Sequence, residues 1–502
     1  MKENSRTRNA ILNIVVGIIA QIGILLLSFI GRSVFVRFLD SEYLGINGLY
    51  GNILSVLSLA ELGMGSVTQF YLYKPVVEDN KPLIVSLVNF FRKIYLMISL
   101  AIFGIGILII PFLKYIVNSD LSQTDLIVYY LLFLINSVIS YFSAHKVALL
   151  AANQDTRLQK YVLLITNFGT QILHIIVLSI WHSFVIYVMV TVFSTLVNVI
   201  LINYIGNKRY PFLKTEDTIK IPESYLKGIK AKIKSTFVYK IGATIINNTD
   251  NILISIIVST AAVGLYSNYS MIVLGVQGFI SIITTALISG VGNLSAYGNK
   301  KKMKKVFNTM LLLYQLMATF GSICFFFLFD EFIPIWVGEK YLLDRFTVLA
   351  ISLNFYLTTA ISPIWMFREA NGLFDKVKYL LLSTAIVNII LSVLFGNLWG
   401  TAGVLLATVV ARILTQVWYE PKILFKNIFL SNTLSYWGRQ IWYFILAFIV
   451  FILSNKVNMF LPHGFIGIIL RGIAFGIITI IIFTIGNFKR DEFKEIFYLI
   501  KR

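Results

Sequence analysis

Between Ala10 and Gly486 the chain returns again and again to apolar runs of about 20 residues, separated by short polar breaks. Each run is long enough to cross roughly 30 Å of hydrocarbon. No break is long enough to fold a soluble domain. The expected fold class is an all-α integral membrane protein, which narrows the candidate activities to transport, channel formation or intramembrane catalysis.

Composition agrees. Hydrophobic residues make up 58% of the chain and charged residues 13%, more apolar surface than a soluble core of this size hides. The single cysteine, Cys324, sits in an apolar run and reads as a packing residue. It excludes an intrachain disulfide and a multi-cysteine metal cage.

About 14 spans are expected, near residues 10–31, 44–73, 94–114, 125–150, 161–181, 184–206, 236–259, 263–290, 306–330, 346–367, 379–398, 401–419, 440–455 and 464–486. The first follows Lys2, Arg6 and Arg8, as a signal peptide would. It is too long for one and lacks a small-residue cleavage site, so it reads as a retained span. With the N-terminus inside, roughly 33 of the Lys and Arg residues fall in cytoplasmic segments and about 6 outside, which favours N-in and C-in. The inside segments include Lys74 to Lys93, Lys208 to Lys234, the cluster Lys300 to Lys305, and the tail Lys489 to Arg502. The net charge of +20 is therefore dealt out to alternate loops. A nucleic-acid binder gathers its basic residues on one folded face, so no nucleic-acid partner is expected.

The longest polar break divides the chain. Residues 1–206 form an expected N-terminal lobe of six spans, 207–235 a basic cytoplasmic linker, 236–430 a C-terminal lobe of six spans, and 431–502 two more spans with a basic tail. In the linker, Tyr225 to Lys234 reads equally as a basic helix on an anionic leaflet or as a solvated connection. The two lobes echo each other: Tyr43-Leu44-Gly45-Ile46-Asn47-Gly48-Leu49-Tyr50 resembles Ala262-Val263-Gly264-Leu265-Tyr266-Ser267-Asn268-Tyr269 at a shift that aligns Gly45 with Gly264 and Tyr50 with Tyr269. Such repeats predict two pseudo-symmetric lobes related by an axis along the membrane normal, with a substrate path between them.

A charge at mid-bilayer costs roughly 2.5–3.5 kcal/mol on insertion scales, so each one asks for a reason. Span 1 carries Gln21, Ser28 and Arg32 at helical spacing, with Arg37 beyond. Span 2 carries Ser55, Ser58, Glu61 and Thr68 on one stripe, with Gly48, Gly51 and Gly65 on the same side. Span 7 carries Lys240, Thr244, Asn247, Asn251 and Ser255, with Asp250 beside them. Steps of three and four put each set on one helix face. Arg32, Arg37 and Lys240 can also snorkel to headgroups. Glu61 and Asp250 have short stems and are the candidates for cation coupling or for pairing with Arg32 or Lys240. Arg412 divides evenly between pathway and packing, Arg471 lies in span 14, and Lys146 reads as topogenic. His174, near Asn167, Thr170 and Gln171, reads first as a packing residue and second as a proton relay. The remaining histidines form no metal spacing.

Absent motifs matter too. The chain has no Gly-x-x-x-x-Gly-Lys-Ser/Thr phosphate loop and neither His-Glu-x-x-His nor Gly-x-Ser-x-Gly. Outer loops stay short, which disfavours a membrane polysaccharide synthase or polymerase.

Three stretches carry a family resemblance: Gly31-Arg32 through Leu44-Gly45 into Ser58-Leu59-Ala60-Glu61-Leu62-Gly63-Met64-Gly65; Asn248-Thr249-Asp250-Asn251-Ile252-Leu253-Ile254-Ser255 with Val263 to Ser267; and Ile288-Ser289-Gly290-Val291-Gly292-Asn293-Leu294. With them the chain resembles the polysaccharide transporter family, whose superfamily includes lipid II flippases and multidrug and toxin extrusion proteins. The resemblance implies an inverted-V of two six-helix lobes around a cationic central cavity, with two trailing helices. It implies export of undecaprenyl-pyrophosphate-linked oligosaccharide for O-antigen or capsule, in a bacterial cytoplasmic membrane, without enzymatic activity or cofactor. Proton or sodium ion coupling, membrane lipids, a polysaccharide polymerase and a chain-length regulator belong to the same expectation. Arg32, Arg37 and Lys240 would hold the pyrophosphate by charge-assisted bonds, with Gln21, Asn247, Asn251 and Arg412 completing the substrate site and Glu61 and Asp250 the acidic pair. A cation-coupled multidrug exporter and a lipid II flippase are the competing readings. Reporter fusions at Lys302 and Arg502 are expected to be cytoplasmic and fusions at Lys340 or Lys456 external. Ends on opposite faces would overturn the topology.

Overall fold

The computed structural model describes residues 22–493 except 62, 216, 297 and 298. Every regular element among the described residues is helical, because a backbone amide in lipid can be satisfied only within its own helix or a closed barrel. Helices run over 22–38 (α1), Ser41–Leu57 (α2), Met64–Val77 (α3), Lys81–Ile109 (α4), Gln123–Ser140 (α5), Ala144–Ala152 (α6), Thr156–Trp181 (α7), Phe184–Arg209 (α8), Glu223–Ile257 (α9), Thr260–Ala296 (α10), Lys300–Val337 (α11), Arg345–Ala370 (α12), Phe374–Leu414 (α13), Gln416–Leu424 (α14), Leu434–Phe460 (α15) and Phe465–Asn487 (α16). Local chemistry sets several starts: Asn80, Asn299 and Asp344 side chains accept the amides of Leu83, Lys302 and Thr347 at 3.1, 3.0 and 2.9 Å.

Ten segments among the described residues are long and apolar enough to cross a membrane. The difference from the expected count has identifiable causes. Phe374–Phe429 counts as one segment, but Trp399 and Gly400 leave helical geometry, Gly400 with φ +58°. That turn falls between the runs expected at 379–398 and 401–419. The run expected at 44–73 is broken at Ser58–Gly63, leaving two short helices. The run expected at 236–259 is the second part of α9, where Lys240, Asp250 and the asparagines Asn247, Asn248 and Asn251 dilute its apolar character. The run expected at 10–31 lies largely outside the described residues, as does Gln21.

The expected linker is not a separate element throughout. From Glu223 it is already α9, continuous with the following span. The basic turns of α9 pack on α3: the Tyr71 and Tyr225 rings are 5.8 Å apart, and Lys232 lies 3.9 Å from the Phe70 ring centroid.

The chain divides into two compact units, one made of Ile24–Gly264 and the other chiefly of the residues from Leu265 on. α9 belongs to the first, although the sequence assigned that span to the second lobe. Inside the first unit the two echoing motifs meet. A Cβ on Gly45 would lie 1.8 Å from the Thr260 carbonyl oxygen, and a Cβ on Gly264 would lie 1.8 Å from that of Ser41. The crossing is reciprocal, because the shift that aligns the two glycines also aligns Ser41 with Thr260. The aligned tyrosines do matching work. Tyr50, fully buried, donates to the Leu126 carbonyl at 2.9 Å. Tyr269, equally buried within the second unit, accepts the Leu343 amide at 2.8 Å.

In the second unit α11, α12, α15 and α16 enclose a core of Phe307, Phe327, Phe367, Tyr443 and Phe475. Buried charged contacts tie helices there. Arg471 of α16 bonds Glu331 of α11, and Arg368 of α12 bonds Glu420 of α14 at 2.7 Å with both side chains buried.

At the glycine crossing, Gly45→Ala and Gly264→Ala should each cost about 1–3 kcal/mol, since the opposing atoms are backbone and cannot swing aside. Gly104→Ala, whose Cβ meets nothing within 4 Å, should be neutral. Melting temperatures of the purified variants check this; three equal values would show that the crossing is loose.

Candidate functional site

A polar cavity of about 640 Å³ opens within the first unit. Its walls come from α2, α3, α5, α8 and α9, and the break between α2 and α3 builds one side of it. Ser55 and Ser58 hydroxyls donate back to the Gly51 and Leu54 carbonyls at 2.9 and 2.8 Å, a pattern that loosens and bends a helix. A 3₁₀ turn over Ser58–Glu61 follows, and Gly63 then takes φ +93°, which favours glycine. α3 restarts at Met64. Cβ atoms on Gly51 and Gly65 would meet nothing within 4 Å, so both glycines face open space. Across the cavity α5 gives way at Ser140 to a second 3₁₀ turn, Tyr141–Ser143.

Two opposite charges share this cavity. Glu61 comes from the break and Lys240 from α9. Lys240 and the Tyr141 hydroxyl lie within electrostatic reach of the Glu61 carboxylate. Thr244 and Asn248 continue the Lys240 wall in steps of four, and Asn136, Ser137 and Ser140 supply the α5 wall. Ser140 and Thr195 are shared with an adjoining cavity of about 250 Å³ whose lining carries no charge. It is rich in Thr166, Asn167, Thr170, Thr191, Ser194 and Asn198. His174, 6% exposed, stacks on Tyr187 at 3.8 Å and shares a 3.1 Å hydrogen bond between Nε2 and the Thr191 hydroxyl. It buttresses the second cavity through Thr191.

The structure thus brings together Glu61 and Lys240 among the sequence-derived site residues. Asn247 is exposed and its neighbour Asn248 faces the cavity instead. Successive steps of four along a 3.6-residue helix drift sideways, so a broad polar stripe has a cavity edge and an outer edge. Asn251 packs beside Gly48, and Asp250 is half-buried on α9. Arg32 is half-buried near Tyr187, while Arg37 is exposed with its guanidinium 5.9 Å from the Phe38 ring centroid. Arg412, 7% exposed in the second unit, donates to Asn354 Oδ1 at 3.2 Å and to the Thr358 hydroxyl.

Sequence reasoning passed over Asn136, Ser137, Ser140, Thr195 and Asn198. Their signal was present: polar residues at three- and four-residue spacing inside otherwise apolar runs. It also passed over the Arg368–Glu420 pair, whose members are distant in sequence.

A wet cavity has a direct test. With Cys324 replaced by Ala, single cysteines at Ser55, Ser140 and Asn248 should react with a membrane-impermeant thiol reagent at least 10-fold faster than one at Gly104, which lies on the exposed face of α4. Equal, slow labelling at all four would show that the cavity excludes water.

No curated protein matches the chain in sequence. Among solved structures, one described as lipid II flippase MurJ in an inward closed conformation superposes with a TM-score of 0.68 at 16% identity, covering 95% of this chain and 99% of that one. An inward-facing multidrug resistance MATE family transporter of the MOP superfamily gives 0.62 at 16% identity, over 82% and 99%. A MATE protein in a bent conformation gives 0.55 at 15% identity, over 83% and 95%. The fold is therefore that of the MOP-superfamily flippases and transporters, and the protein is a multi-pass membrane protein. Residues 8–288, more than half of the chain, match the family described as polysaccharide biosynthesis protein, and the chain belongs to that family.

Proposed function

We propose that this protein is a flippase that moves undecaprenyl-pyrophosphate-linked oligosaccharide from the inner to the outer leaflet of a bacterial cytoplasmic membrane, for surface polysaccharide assembly. One observation carries the reading: in a member of a polysaccharide biosynthesis family, a hydroxyl- and amide-lined cavity adjoins the charged end at Glu61 and Lys240. Serine, threonine and asparagine both donate and accept hydrogen bonds, as sugar hydroxyls require. Lys240, with Arg32 and Arg37, supplies cations for the pyrophosphate. The chain crosses the membrane about 14 times with both ends inside. The lobes exchange access as cargo binds one state better than the other. Glu61 and Asp250 take up a proton or sodium ion as that exchange occurs. A polymerase and a chain-length regulator work downstream.

Reconstitution into proteoliposomes with a fluorescent lipid-linked oligosaccharide tests this. Wild type should flip the substrate, and Lys240→Ala and Arg32→Ala should each lower the initial rate by roughly 10- to 100-fold, the loss of one charge-assisted contact. Glu61→Gln and Asp250→Asn should abolish any stimulation by an imposed proton or sodium gradient. Efflux of organic cations with no flipping would overturn the assignment, and flipping indifferent to both gradients in wild type would remove the coupling role.

A further inference from the structure

A second pocket in the first unit, of about 480 Å³, has a different character. Arg92 of α4, His145 and Lys146 of α6, and Lys214 just beyond α8 all line it, and none of its lining residues is acidic. The sequence scatters these four over more than a hundred residues. Lys146 Nζ donates to Asn207 Oδ1 at 2.8 Å and to the Asn203 carbonyl at 3.3 Å, so it is held in place by neutral oxygens. Arg92 and Lys214 lie within electrostatic reach of Lys146, and Arg92 also of His145. His145 is 4% exposed, and its Nδ1 has no hydrogen-bond partner. Gathering cations without a carboxylate is unfavourable unless an anion joins them.

Val88, Leu96, Phe142 and Leu213 give the pocket an apolar side, and Asn89 and Tyr141 complete the lining with Asn203 and Asn207. Phe142 is 42% exposed, and beyond the pocket α4 continues with Met97 and Leu100 exposed at 61% and 69%. A cationic floor beside an apolar wall matches a phosphate joined to acyl chains. We propose that this pocket binds the phosphate headgroup of an anionic phospholipid, such as phosphatidylglycerol. Arg92, Lys146 and Lys214 hold the phosphate oxygens and His145 Nδ1 completes the shell. The site is separate from the Glu61–Lys240 cavity and needs no cargo, so it stands or falls independently of the flippase reading.

The test uses the full-length protein, titrated with tail-labelled phosphatidylglycerol or phosphatidylcholine in detergent micelles and read by fluorescence anisotropy, without lipid-linked sugar. Phosphatidylglycerol should bind and phosphatidylcholine should not. The double variant Arg92→Gln with Lys214→Gln should weaken binding at least 10-fold; both side chains are exposed, so its melting temperature should match wild type. Arg92→Lys, which keeps the charge, should retain most of the affinity and separates binding loss from misfolding. Equal binding of the two lipids, or wild-type affinity in the double variant, would overturn the site. Displacement of the lipid by inorganic phosphate in modest excess would assign the pocket to a soluble phosphate and overturn the lipid assignment.

Discussion

Backbone polar groups inside a bilayer have no water to bond, and leaving one unpaired costs several kcal/mol. That constraint explains why the described residues are helical throughout and why departures from helix are so confined. Two of the 3₁₀ turns in the first unit, Ser58–Glu61 and Tyr141–Ser143, lie where polar space adjoins them, while a third, Ile110–Phe112, carries Pro111 at the end of α4. Irregular backbone at membrane depth is tolerated where it lines a cavity. A broken helix and a polar cavity are thus one feature: the cavity permits the break, and the break delivers Glu61.

Close packing then uses two devices. Where α2 meets the start of α10, glycines allow backbone carbonyls to approach to a distance that no side chain would permit. In the second unit, buried ion pairs join helices instead, Arg368 to Glu420 and Arg471 to Glu331. Removing one member of such a pair strands the other charge, at about 3–5 kcal/mol. These pairs therefore couple the positions of α12 to α14 and of α11 to α16. Arg412 links α13 to α12 through the oxygens of Asn354 and Thr358.

Charge is distributed unevenly within the first unit. The large cavity balances one carboxylate against one ammonium and passes into a neutral, hydroxyl-lined annex. The uncompensated cations gather elsewhere, at Arg92, Lys146 and Lys214. A neutral, richly hydrogen-bonding interior discriminates by hydroxyl pattern. The cationic pocket lacks that hydroxyl-rich lining, so the two cavities differ in the chemistry they offer.

Much of the fold was legible in the chain alone. Run length marked the membrane helices, and the turn at Trp399–Gly400 fell between two expected runs; the Gly45 and Gly264 echo was legible as a repeat, but that the two glycines meet was not. These signals are local or repetitive, so composition and periodicity carry them. The Glu61–Lys240 pair was partly legible, because each charge stood out against its own apolar run. What tertiary structure alone decided is which polar edge of a helix turns inward. Asn248 rather than Asn247 faces the cavity because packing, and not periodicity, sets a helix's rotation. The cluster of Arg92, His145, Lys146 and Lys214 was invisible for the same reason. Each residue taken alone reads as an ordinary loop-flanking charge, and only the packing of α4, α6 and α8 places them around one pocket.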